Sequence, residues 1–147
     1  MSRSPFPLPA LLRWWGLLAV SLLCAAAGAQ GPMSEPRVAL QGFDPVAYFT
    51  ESRPVRGSPE FQRDFDGTRY HFASARNRDL FSADPDRYAP QFSGYCSASV
   101  GNGRKNEGDP QVWKIVGGKL YVFGKAGPWV DDPAALARSH AAWPSLK

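Results

Sequence analysis

Apolar and polar residues alternate over two stretches of this chain, and each stretch is broken by a two-residue turn. In the first, Phe61, Phe65, Tyr70 and Phe72 fall on one face and Gln62, Asp64, Arg69 and His71 on the other, with Asp66-Gly67 between Phe65 and Thr68. Asp-Gly suits a turn in which both residues need positive φ, so the pattern predicts an antiparallel hairpin with a core face and a solvent face. In the second, Gly117-Gly118 joins 112–116 to 119–123 and gathers Trp113, Ile115, Leu120 and Val122 onto a wholly apolar face. Both hairpins need cover.

Helical segments supply it. Ser74 suits the N-cap of a helix over 75–83 that Asp84-Pro85 ends, and Leu80 and Phe81 stand at i+3 and i+4 from Asn77. The amide of Asn77 therefore lies on an apolar face and needs partners. Shorter helices are expected over 85–89 and about 95–100, and a last one over 133–142 capped by Asp132. Asp44, before Pro45, suits a cap on another short helix that carries Tyr48 into the core. The fold class expected is α+β, a small single domain of two antiparallel hairpins packed against several short helices. No internal repeat is legible at this stage.

The N-terminus sets the compartment. Arg3 and Arg13 precede an apolar run from Trp14 to Ala27, and Ala27-Gly28-Ala29 places small residues at a cleavage spacing. Residues 1–29 read as a secretory signal peptide cut before Gln30, with 30–37 a flexible leader and 38–147 the domain of a periplasmic or secreted protein. Leu22 and Leu23 disfavour acylation at Cys24, and the run is short for a membrane anchor, so the mature chain is expected outside the membrane. Without the two signal arginines, 15 basic residues face 13 acidic ones, a balance that excludes nucleic acid as a partner.

Loss of Cys24 with the signal leaves Cys96 without an internal disulfide partner. A reactive thiol, a metal ligand, an intermolecular partner and an inert core residue all remain open. A helix beginning near Tyr95 would favour the thiolate, whereas packing among Ser97, Ala98 and Val100 would make the side chain inert. The segment 101–110 reads as an irregular loop near this site. His71 falls opposite Gln62 on the polar face of its hairpin, and His140 falls on the helical face of Leu136 and Trp143. Neither a Cys-x-x-Cys nor a His-x-x-x-His spacing occurs, and serine-hydrolase and nucleotide-binding motifs are absent.

The strings Gly42-Phe43-Asp44-Pro45-Val46-Ala47-Tyr48-Phe49, Tyr70-His71-Phe72-Ala73-Ser74-Ala75-Arg76-Asn77, Leu80-Phe81, Asp84-Pro85, Gly94-Tyr95-Cys96 and Gly118-Lys119-Leu120-Tyr121 resemble the exported YHS-domain proteins, over about 38–147. In that group the position of Cys96 is sometimes selenocysteine, which implies sulfur or selenium chemistry there. The related TRASH-like domains handle metals through cysteines at positions that correspond here to Ala47, Ala73 and Asn77, so the usual thiolate cage is missing. Cys96 would have to anchor any replacement site, where copper, iron or zinc would be held by its thiolate with Asp44, Asn77, Tyr48 or His71 nearby only with help from water or an external ligand. Three readings stay open: a metal-binding module, a thiol redox protein that needs an external thiol partner, and a structural domain. A self-sufficient enzyme is not expected.

Overall fold

The computed structural model describes residues 34–147, so the expected signal peptide, Cys24 and residues 30–33 of the expected leader lie outside the described residues. The chain runs β1 (Arg37–Val38), a turn at Ala39–Gly42, α1 (Ala47–Thr50), β2 (Ser58–Phe65), β3 (Thr68–Phe72), α2 (Ala75–Ala83) and α3 (Pro85–Tyr88). A second turn at Gln91–Gly94 leads into α4 (Ser97–Gly101), β4 (Asp109–Val116), β5 (Lys119–Phe123) and α5 (Pro133–Ala142). The strands form one sheet of order β1-β3-β2 and a separate β4-β5 hairpin. The class is α+β. No helix among the described residues is long and apolar enough to cross a membrane.

Both hairpins close as their turn residues dictate. Asp66 and Gly67 have φ of 47° and 71°, and Gly117 and Gly118 57° and 74°, the left-handed pair that matches strand twist. Gln62 faces His71 and Trp113 faces Val122, as the alternation requires. Local hydrogen bonds fix the helix starts. Ser74 Oγ accepts from Asn77 N at 3.2 Å, Asp84 Oδ1 from Arg87 N at 3.1 Å and Asp132 Oδ1 from Ala134 N at 2.9 Å.

One apolar cluster joins Leu40, Val46, Tyr48, Tyr70, Phe72 and Phe81 to Leu120 and Val122 of β5. Phe81 of α2 is the hub of its aromatic part, with ring centroids 4.9 Å from Tyr70 and 5.1 Å from Phe72, and its burial is worth about 1.5–3 kcal/mol. A second cluster holds Phe92, Val100, Tyr121 and Phe123 under α5. Strand β5 is thus buried on both faces, where the sequence pattern showed only one apolar face.

Three expectations need correction. Arg37 belongs to no leader. It pairs with Thr68 in β1, stacks 4.0 Å over the Tyr95 ring and bonds both Glu107 carboxylate oxygens at 2.9 and 3.0 Å. The helix placed near Tyr95 starts at Ser97 instead, because Tyr95 is extended (φ −70°, ψ 154°) and Cys96 is the N-cap.

The third correction concerns repetition, because the two halves follow the same path. Leu40, Gln41 and Gly42 have φ of 52°, 51° and 83°, and Phe92, Ser93 and Gly94 have 56°, 53° and 81°. Positive φ in two consecutive non-glycine residues costs about 1–3 kcal/mol each, and the fold meets that cost twice at matching places. After each turn an aromatic residue bridges back, Phe43 to Arg56 and Tyr95 to Glu107. The hairpins then share their irregularity: Ser58 pairs with Phe72 and the register shifts before Gln62–His71, while Asp109 pairs with Phe123 and shifts before Trp113–Val122. Few residues are identical between the halves, among them Pro59 with Pro110, Tyr70 with Tyr121 and Phe72 with Phe123.

Candidate functional site

The polar candidates of the sequence separate into two places. Asp44 is completely buried. Its Oδ1 accepts from Val46 N at 2.8 Å, and its Oδ2 from Ala73 N at 2.8 Å and Asn77 Nδ2 at 2.7 Å. Burial without such donors would be prohibitive for a carboxylate, and here three of them come from two elements. Asp44 and Asn77 therefore brace the entry of α1 against the start of α2. The Asx turn at Asp44 stands just before α1, which begins at Ala47.

Tyr48 is also completely buried, with its hydroxyl donating to Pro110 O at 3.0 Å and its ring edge-on to Trp113 at 5.1 Å. Burial, reinforced by the Asp109 and Asp44 carboxylates, pushes the phenol well above its usual range. It therefore pins the first half to β4 as a neutral hydrogen-bond donor. His71 lies over Gly42, where a Cβ would stand 3.3 Å from its Nδ1. Partial burial, with Arg69 nearby, lowers its pKa from the ordinary 6.5. A base with a depressed folded-state pKa leaves the unfolded chain binding more protons, so stability falls as pH drops through and below about 6.5. His71→Gln is expected to flatten that part of the pH–stability curve, measured by urea midpoints from about pH 7 to 5.

Cys96 stands apart from these groups, at the wall of an open pocket of about 430 Å³ lined by Ser99, Asn102, Asn106, Glu107, Gly124, Lys125 and Trp129, among others. None of Asp44, Tyr48, His71 and Asn77 lines it. Cys96 itself is 5% exposed, and its Sγ accepts from Gly124 N at 3.1 Å. Gly124 borders the pocket beside the sulfur, and a Cβ there would make ordinary contact with it at 3.6 Å. The loop expected near the site supplies Asn102, Asn106 and Glu107, and the indole of Trp129 donates to Lys125 O at 3.2 Å. Lys125 escaped the sequence reading, because nothing in its spacing ties it to Cys96, and Trp129 reads from sequence as a core aromatic and not as part of a site. His140 lies elsewhere, with Nε2 2.9 Å from the Tyr121 hydroxyl and its ring 5.0 Å from Phe92.

The donor set does not fit a protein-made metal cage. Among the described residues no three His, Cys, Asp or Glu side chains converge. Around Cys96 the other donors are a hydroxyl, two amides and a carboxylate whose two oxygens are both engaged by Arg37. The grouping of Cys96 with Asp44, Asn77, Tyr48 and His71 is therefore corrected: the carboxylate, amide and phenol hold the fold together, and the imidazole lies outside the pocket.

Comparison with known proteins adds one positive finding. No curated protein and no solved structure matches the chain. Residues 46–92 match the family model of the YHS domain, a segment that covers most of the first half and ends before Cys96. Over residues 46–92 the chain therefore carries a YHS domain, a kind generally associated with metals.

Proposed function

We propose that this protein is an exported single-thiol module, in which Cys96 forms a mixed disulfide with an external partner. One observation carries the reading: the sulfur borders an open pocket and accepts a backbone N–H, while the other chemically able side chains are engaged elsewhere. Cys96 is the free cysteine of the described residues, so the partner must supply the second sulfur. The Cys96 thiolate attacks one sulfur of the partner's disulfide. A new S–S bond forms, the old one breaks, and the departing sulfur leaves as a thiolate that takes up a proton. Cys96 is oxidised and the released half of the partner reduced. The signal-like residues 1–29 support export to a compartment where disulfides persist.

The YHS match favours a second reading, in which Cys96 is one ligand of a metal whose remaining ligands come from outside the chain. Two measurements on the mature protein separate the readings. Reaction of the folded protein with a dipyridyl disulfide should release one pyridinethione and leave a mixed disulfide at Cys96, visible by mass. Gly124→Ala, which sets a methyl group against the sulfur, should slow the reaction several-fold without unfolding the chain. No reaction under native conditions would end the thiol reading. Near-stoichiometric metal after purification without chelators, lost in folded Cys96→Ser, would establish the metal reading in its place.

A further inference from the structure

The parallel between the halves extends to the residues that carry the chemistry. Asp44 follows the bridging Phe43 and Cys96 follows the bridging Tyr95. Asp44 N donates to Val55 O at 2.9 Å, one residue before Arg56, and Cys96 N donates to Asn106 O at 2.8 Å, one residue before Glu107. Asp44 Oδ2 accepts from Ala73 N, the residue after β3, and Cys96 Sγ accepts from Gly124 N, the residue after β5. A guanidinium attends each turn in the same manner. Arg56 stacks 4.3 Å over Phe43 and donates to Gln41 O, and Arg37 stacks over Tyr95 and donates to Ser93 O.

What differs is the cover. In the first half only Ser74 separates Ala73 from α2, whose first turn brings the Asn77 amide onto Asp44. In the second half Lys125–Asp132 intervene before α5, and the pocket of about 430 Å³ lies against Cys96 and Gly124.

We propose that Cys96 is the second-half counterpart of Asp44, placed where the fold requires only a hydrogen-bond acceptor, and that the pocket beside it is the uncovered copy of the Asp44–Asn77 brace. The sulfur is then dispensable to folding. This inference concerns the equivalence of the two halves alone, so it stands independently of the thiol reading. It also makes the second half the one free to take a ligand, since the equivalent space in the first half is closed by its own helix.

Exchange of the two residues tests the equivalence. In Cys96→Asp the carboxylate should accept from Gly124 N, as Asp44 does from Ala73 N, and from Ala98 N in the first turn of α4, as Asp44 does from Val46 N. That chain should melt about 4 °C or more above Cys96→Ala, as a restored N-cap would provide. Asp44→Cys should melt far below wild type, because one sulfur cannot serve Val46 N, Ala73 N and Asn77. A Cys96→Asp chain that melts at or below Cys96→Ala overturns the proposal. Amide exchange supplies a test that needs no carboxylate in the pocket: the Gly124 amide should exchange slowly in wild type and Cys96→Ser, and at least tenfold faster in Cys96→Ala. Equal rates in all three would overturn it as well.

Discussion

Asp44→Ala is expected to be the most damaging polar substitution in this protein, lowering stability by about 3–5 kcal/mol, since it removes a buried charged acceptor whose hydrogen bonds are worth about 1.5–3 kcal/mol each and leaves one buried and two half-buried donors unpaired. The donors are Ala73 N, Asn77 Nδ2 and Val46 N, and the residue that joins them is completely buried. A domain of this size holds about 5–15 kcal/mol in total, so the loss would bring it close to unfolding at ambient temperature. Urea titration measures it as a fall in midpoint at unchanged slope. Asn77→Ala should cost less, because Ala73 N and Val46 N still bond the carboxylate. The Asp44→Ala, Asn77→Ala double variant should be more stable than the two losses summed, since removal of the amide also removes a half-buried group left without its partner. Strict additivity would show that the two side chains do not act as one brace.

Gly57→Ala is expected to cost about 3 kcal/mol, at the upper end for one added carbon in a packed site. Its Cβ would stand 2.6 Å from the His71 carbonyl carbon and 2.7 Å from the oxygen. Backbone cannot step aside as a flexible side chain can, so β2 would have to lift from β3 at the register shift between Ser58 and Gln62. Gly67→Ala makes the contrast. It meets nothing within 4 Å and carries only the strain of φ +71°, a cost of about 1 kcal/mol. Thermal midpoints of the two variants should differ by several degrees, and equal midpoints would refute the steric account.

How far the sequence showed this structure depends on what each element needs. The hairpins and the helices at Ala75–Ala83 and Pro133–Ala142 were legible because their signals are local: Asp-Gly and Gly-Gly turns, Ser74 and Asp132 caps, and Pro85 at a helix start. The turns at Leu40-Gln41 and Phe92-Ser93 were not, since those residue types favour negative φ and only the surrounding packing holds them otherwise. The repeat stayed hidden for a related reason. Its halves share a path and a hydrogen-bond pattern, and the side chains at equivalent places differ as much as Asp44 and Cys96 do. For the site, the brace was half legible, because Asn77 sits on an apolar helix face and had to find a partner. The error was to gather every ligand-capable side chain around the cysteine. Chemical ability says nothing of proximity, and the residues beside Cys96 come from a loop and from the segment after β5 that carry no periodic signal.

Strand β5 sends Leu120 and Val122 into one apolar cluster and Tyr121 and Phe123 into the other. Neither half can open alone, because parting this strand from either neighbour exposes a face that its own half cannot cover. The repeat in the backbone therefore does not make two folding units. A chain cut between α3 and Gln91 would leave two fragments that each lack a wall of their core, and their native structure would return only when they are mixed.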